Sequence, residues 1–345
     1  MRKSELYLPN GFADMHRIIN TPAPFVVCLG GRGTGKTFGA LRDMLQRKEP
    51  FALVRRTQTQ VDIISKPDFN PFRAINVAEH TSIITSPISK YTSGFYNSND
   101  DGQPTGAALG YIMALSTFSN IRGFSVPLNY IIFDEFIPER SEKRIIKHEG
   151  EAFLNMYESL NRNRELNGEP PLKCVLLANT NDLNSPILTA LGVTMLCDRM
   201  NRKQMHFATT SNGLVAIVRL QDSPVSQRKA ATVLYQVAAS GSNEDFAAMA
   251  ISNEFSRANY EHVGTRPLKE YRPLCTIGSI TASEHKSRDE FYITRAGGGG
   301  ETFDTTPLET RRFRAQYGWL WLAAIDGRVT YADYLAKQKF EQIFT

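Results

Sequence analysis

The chain has 345 residues, 41% of them apolar, and a formal net charge of +5. That is long enough for two domains or one large domain with an appendage, and the charge permits an anionic partner without requiring one. No apolar run approaches a membrane span and no signal-peptide h-region opens the sequence, so no membrane partner is expected. Cys28, Cys174, Cys197 and Cys275 stand far apart without a Cys-x-x-Cys pair, and the six histidines show no ligand spacing, which argues for a reducing cytosol and against a zinc site.

Phe25 to Leu29 is the first apolar run and reads as a strand. The next eight residues are Gly30, Gly31, Arg32, Gly33, Thr34, Gly35, Lys36 and Thr37. They fit the phosphate-binding pattern G-x-x-x-x-G-K-[ST]. Glycines let the backbone curl so that successive N–H groups face one phosphate chain, and a following helix adds positive partial charge beneath it. Lys36 is placed to reach the outer phosphates of a nucleoside triphosphate, and the Thr37 hydroxyl to ligate Mg²⁺. The competing reading is a structural glycine turn.

Thr37 to Gln46 reads as a helix with Phe38, Leu41 and Leu45 on one side, and Phe51 to Arg55 as a second strand. Ser82 to Ile88 and Ser93 to Tyr96 read as shorter strands. Asn97 to Gly106, rich in Asn, Asp, Gly and Pro, reads as a hairpin loop, with Tyr111 to Leu115 as the return strand. Ala152 to Leu160 has a helical pattern, and Leu214 to Leu220 a strand pattern. Tyr130 to Phe133 and Val175 to Ala178 are continuous apolar runs of the kind a buried parallel sheet needs. The fold class expected is α/β: a mostly parallel sheet between helices, with ligand at the strand C-termini.

Residues 1–222 are expected to form the ATPase domain. Ser223 to Phe255 is rich in small residues with a Gly-Ser-Asn break, and 223–256 reads as a helical linker. Residues 257–345 read as a small α+β domain. Its strands are Leu274 to Ile280 and Glu290 to Arg295, its flexible loop Ala296 to Gly300, and its helices Leu308 to Ile325 and Tyr331 to Phe344. There is no internal repeat.

Tyr130-Ile131-Ile132-Phe133-Asp134-Glu135 is an apolar strand ending in two acids, a Walker B element when it follows a P-loop. Asp134 at the strand tip is placed for the Mg²⁺ shell and Glu135 for polarising the attacking water. This favours ATP hydrolysis over small-molecule kinase chemistry, which must exclude water. The plain alternative is a surface acid pair closing a buried strand. Asn179, after Val175 to Ala178, is a candidate sensor of the γ-phosphate or the water, or else a turn residue. Asn179-Thr180-Asn181-Asp182 lacks the Lys of the guanine-reading N-K-x-D motif. Arg162 and Arg164 in LNRNRE follow a helix, where arginines either cap the helix or act as an arginine finger toward a neighbouring subunit. Arg55, Arg56, Lys66 and Arg122, basic residues at strand ends or in loops, are candidate contacts to DNA phosphates.

The succession GGRGTGKT, FALVRR, YIIFDEF, LNRNRE and VLLAN resembles the DNA-encapsidation ATPases of small tailed bacteriophages, compact terminase-like relatives of the large terminase subunit. The terminal GRVTYADYLAKQKFEQIF is similar to that family's closing segment. The resemblance implies a P-loop NTPase of the additional-strand, catalytic-glutamate (ASCE) type that uses ATP and Mg²⁺. It implies a homo-oligomeric ring of five subunits docked on the portal of an empty capsid, pulling double-stranded DNA through the ring in the cytoplasm of the infected bacterium. It assigns the trans arginine finger to Arg162, with Arg164 second, and a positive residue before Walker B to Arg122.

The same resemblance makes the C-terminal domain a vestigial RNase H-like nuclease. Leu274 to Ile280 offers no carboxylate, and Glu284, Asp289 and Glu290 read as solvated loop charges, so no nuclease activity is expected. The domain would dock on the portal and, in some relatives, on a structural packaging RNA. Arg311, Arg312 and Arg314 read as one exposed helix face or as a phosphate contact. Two alternatives stand beside packaging. One is another P-loop motor, a helicase or AAA-type ATPase, for which further motifs or a helical lid are missing. The other is a nucleotide-dependent docking or switch protein that does not translocate.

Overall fold

Apolar runs buried on both faces can be satisfied only between parallel neighbours with helices on each side. The computed structural model builds the N-terminal part on that rule. It describes all residues except 122, 139–145, 180–182, 184, 222, 234–235, 238–260, 296 and 345. The chain divides into two units, Met1–Ser256 and Arg257–Thr345.

The strands of the first unit are β1 (Phe25–Gly30), β2 (Phe51–Arg55), β3 (Ile83–Ser89), β4 (Thr92–Ser98), β5 (Pro104–Ala114), β6 (Tyr130–Asp134), β7 (Lys173–Ala178), β8 (Phe207–Thr209) and β9 (Val215–Leu220). Its helices are α1 (Met15–Ile19), α2 (Lys36–Arg47), α3 (Gln58–Ile64), α4 (Arg73–Glu79), α5 (Glu149–Asn161), α6 (Pro186–Ala190), α7 (Thr194–Arg202) and α8 (Pro224–Ala230).

The sheet order is β3-β4-β5-β2-β6-β7-β1-β9-β8. The six strands from β5 to β9 run parallel, and the two ends are antiparallel. β7 therefore lies between the P-loop strand β1 and the acid strand β6, so the tips of all three line one edge. An aromatic cluster stiffens the β2–β5 side: the Phe51 and Phe95 rings stack with centroids 6.1 Å apart, and Phe72 meets Phe95 edge-on at 4.8 Å. Such pairs are worth about 0.5–1.5 kcal/mol beyond the area they bury.

Half of the expected loop from Asn97 to Gly106 is strand. β4 and β5 stay paired through Asn97↔Thr105 and Ser98↔Pro104, leaving only residues 99–103 as the turn. An antiparallel ladder is held by backbone groups, so its exposed tip tolerates polar side chains. Of the expected linker, α8 is described, while 238–260 lie outside the described residues.

The second unit holds β10 (Tyr271–Ile277), β11 (Ile280–His285), β12 (Phe291–Thr294), β13 (Glu301–Phe303) and β14 (Val329–Tyr331) in the order β13-β10-β11-β12-β14. Its helices are α9 (Pro307–Tyr317), α10 (Trp319–Ile325) and α11 (Tyr334–Phe344). Three expectations change here. Leu274 to Ile280 is the end of one strand, a two-residue turn with Gly278 at φ 53°, and the start of the next. The long helix from Leu308 breaks at Gly318. Tyr331 ends a strand pairing in parallel with β12 rather than starting the last helix. Val329-Thr330-Tyr331 is β-branched and aromatic, and that preference outweighs the helical pattern that follows it.

Candidate nucleotide-binding site

The P-loop joins β1 to α2, and two of its glycines are required for different reasons. Gly35, at the head of α2, has φ 85°, a left-handed value that a side chain resists. A Cβ there would also stand 3.0 Å from the Phe12 ring. At Gly30 the obstacle is contact alone, since a Cβ would lie 2.8 Å from Leu220 Cβ. The N-terminal segment props the loop: Ala13 N–H donates to the Thr34 carbonyl at 2.9 Å, and the Thr34 hydroxyl donates to the Gly31 carbonyl at 3.1 Å.

The Lys36 ammonium is buried inside this loop. It donates to the carbonyls of Gly30 (2.9 Å) and Gly31 (2.8 Å) and to Asn179 Oδ1 (3.2 Å). A buried ammonium needs such partners, and a phosphate oxygen can replace them. The Thr37 hydroxyl is 3.0 Å from both Asp134 carboxylate oxygens. That hydroxyl and carboxylate are the oxygen donors a hard divalent cation takes, and they share one cleft of about 410 Å³ with Arg32, Glu135 and Asn179. The residues present therefore fit both a triphosphate and Mg²⁺.

Glu135 follows the strand tip with φ 56°, a strained value for a residue with a side chain, of a kind that concentrates at functional sites. Its N–H caps Asp134 Oδ1 at 3.1 Å, and its side chain is half exposed. Across the sheet, Arg55 spans both acids. One guanidinium nitrogen is 2.9 Å from Asp134 and another 2.5 Å from Glu135.

A family model for the podovirus DNA encapsidation protein (Gp16) matches residues 1–272. The chain belongs to that family. Among curated relatives, the DNA packaging protein of Bacillus phage phi29 is 27% identical over 191 residues, which covers 54% of this chain and 50% of the relative. The DNA packaging protein of Bacillus phage B103 is 29% identical over 182 residues, covering 51% and 49%. The chain thus spans about half the length of the curated relatives it matches. The fold is similar to that of a solved chain from the bacteriophage Phi-29 viral genome packaging motor assembly. The TM-score is 0.64 with 16% identity, over 96% of this chain and 98% of that one.

The other expected site residues of this encapsidation-family chain are placed as follows. Arg162 is exposed just past α5, where its guanidinium donates to the Phe124 carbonyl at 2.8 Å. The chain leaves β6 on the P-loop side of the sheet and returns through α5 to the start of β7, so Arg162 lies at the end away from its own P-loop. Arg164 is a clamp: it donates to the Leu128 carbonyl at 2.6 Å and the Pro170 carbonyl at 2.9 Å.

Two of the residues expected to contact DNA are engaged with carboxylates of the protein itself. Arg56 is 1% exposed and paired with equally buried Glu149 at 2.6 Å, which gives its charge to the protein interior. Arg55 serves the acid pair. Lys66 is exposed at the corner after α3, and Arg122 lies outside the described residues. In the second unit, Glu284 lies on β11 and pairs with Arg272 rather than standing in a loop. Asp289 is 2.7 Å from Arg328 and Glu290 3.5 Å from Arg288. Arg312 pairs with Glu301 at 2.8 Å, and Arg314 donates to the Ile343 carbonyl.

The four thiols are buried, and burial pushes those of Cys28, Cys197 and Cys275 up to about 12. Sequence reasoning missed Arg55 in its role at the acids, and the support that Phe12 and Ala13 give the loop. The first follows from sheet order: once β2 pairs with β6 in the register Val54↔Phe133, the next residues, Arg55 and Asp134, stand side by side.

Proposed function

We propose that this chain is an ATP hydrolase that drives double-stranded DNA into a preformed capsid as one subunit of a homomeric ring, with Mg²⁺ as cofactor. The observation that carries the reading is the convergence of Lys36, Thr37, Asp134, Glu135 and Asn179 on one cleft at the C-terminal edge of a parallel sheet. Membership of the encapsidation family supports the rest.

Lys36 exchanges its carbonyl partners for the outer phosphates. Thr37 and Asp134 hold the cation, which when bound screens the phosphate charge. Glu135 orients the attacking water and takes its proton, and Asn179 holds the γ-phosphate side of the cleft. The ammonium that Asn179 accepts from is the one the phosphates recruit, so the two sense occupancy together. Arg162 serves a neighbouring subunit as the arginine finger. Portal docking falls to residues 257–345, a vestigial nuclease-like module without nuclease activity, and a structural RNA fits the same module.

The test is packaging in vitro with purified empty capsids, ATP and this protein. DNA should become protected from added nuclease only when ATP is hydrolysed. Hydrolysis without any protected DNA would leave a nucleotide-dependent docking protein. Linear and supercoiled DNA kept with Mg²⁺ or Mn²⁺ should stay uncut.

A further inference from the structure

The outermost strand of the large sheet has a groove of its own. α7 buries Cys197 and Met200 on its inner side. Arg199, Arg202 and Lys203 stand at i, i+3 and i+4, so they share one side of the helix end, and all three are exposed. Buried Asp198 anchors Arg202 at 2.5 Å. Arg199 and Lys203 have no side-chain partner among the described residues. Thr209, Thr210 and Ser211, from the end of β8 and its turn, form the other wall of a cavity of about 710 Å³. No carboxylate lines it among the described residues. Thr209 pairs with Ala216 near the start of β9, so this wall lies at the end of the sheet away from the P-loop. β8 ends the sheet, and its outer edge carries no further strand among the described residues.

Arg199 and Lys203, beside the anchored Arg202, share this groove with Thr209, Thr210 and Ser211 and with no lining acid among the described residues, a surface that complements phosphate. Lys and Arg side chains with Ser and Thr hydroxyls are the groups that position a protein on a nucleic-acid backbone without reading bases. The groove is open at the surface and its charges sit together on the last turn of the helix, which suits the backbone of a polyanion lying across the surface better than a small anion held inside. We propose that this groove grips the phosphate backbone of double-stranded DNA. The assignment rests on the packaging reading for its choice of partner, but the groove lies outside the nucleotide cleft, so its loss is separable from loss of hydrolysis.

The test measures binding of the full chain to duplexes of unrelated sequence over a salt series, beside DNA-independent ATPase. Arg199→Ala with Lys203→Ala removes two phosphate contacts. The slope of log affinity against log salt should become shallower by about 1.8, and affinity at moderate salt should fall on the order of tenfold, equally for every sequence. ATPase without DNA should stay at the parent rate. Lys269→Ala with Lys286→Ala removes the same charge from the second unit and should leave the slope unchanged. An unaltered slope in the groove variant, or an equal loss in the control pair, overturns the assignment. So does a groove variant that loses only duplex RNA, or only self-assembly. A parent chain that binds no duplex DNA at all would overturn the packaging reading as well.

Discussion

Arg55 bridges Asp134 and Glu135, its guanidinium 2.9 Å from one carboxylate and 2.5 Å from the other. The arginine is largely shielded from water, so the contact is a strong charge-assisted one rather than a loose surface pair. Without it, two adjacent acids face each other with no opposing fork. Arg55→Ala should therefore lower stability in the absence of nucleotide by about 1.5–3 kcal/mol. Mg²⁺ with ATP brings its own positive charge to the same acids. The gain in melting temperature on adding Mg·ATP should thus be larger in Arg55→Ala than in the parent. Equal gains would show that the arginine does not compensate the acids.

Lys36→Ala removes the buried ammonium and should abolish nucleotide binding. Glu135→Gln keeps the shape of the cleft and the donors for Mg²⁺ while removing the base. It should bind ATP tightly and hydrolyse it about two to four orders of magnitude more slowly. Parent-rate turnover by Glu135→Gln would remove Glu135 from the chemistry.

Arg162 lies at the end of the sheet away from its own P-loop, which suits action on a neighbour. Arg162→Ala should bind ATP nearly as the parent does, with hydrolysis in assembled rings falling by about 10³ to 10⁵. Mixing Arg162→Ala with Glu135→Gln joins an intact Glu135 to an intact Arg162 across a boundary. Mixed rings should regain ATPase that neither variant has alone. No recovery at any ratio, with assembly verified, would confine Arg162 to its own subunit.

Arg56 and Glu149 are a buried pair, and removing one partner strands the other charge. Arg56→Ala should cost about 3–5 kcal/mol of stability, read by denaturant unfolding. A variant of parent stability that instead loses DNA affinity would restore Arg56 as a DNA contact.

Burial, with help from Arg47, brings the Lys173 ammonium down from its ordinary 10.5 to about 8. The unfolded chain then holds more protons than the folded one between about pH 8 and 10.5, so this group makes stability rise with pH across that window. Below pH 8 its penalty is constant. The parent-minus-variant difference for Lys173→Gln should show that rise, and a flat difference would place Lys173 in water.

The cleft formed by the P-loop, the end of the acid strand and Asn179 was legible because each is a local pattern: an apolar strand followed at once by a glycine loop, an acid pair or an amide. The partners of Arg55 and Arg56 were not. Arg55 and Arg56 are neighbours in sequence at a strand end, yet successive side chains leave a strand on opposite faces. One meets the acids of β6 and the other Glu149 of α5, and only sheet order decides which partner each finds. The turn at Gly278-Ser279 was hidden for a related reason. Ile277 and Ile280 flank it with apolar side chains, so a hairpin tip looked like continuous strand.

The two indispensable glycines of the P-loop make opposite forecasts for suppressor genetics. Gly30→Ala is blocked by the Leu220 side chain from its Cβ outward, so only glycine at position 220 opens the space and can restore the loop. Gly35→Ala meets both the Phe12 ring and its own torsion. A smaller residue at position 12 relieves only the first, so revertants of Gly35→Ala should be dominated by true return to glycine, while those of Gly30→Ala should include changes at Leu220.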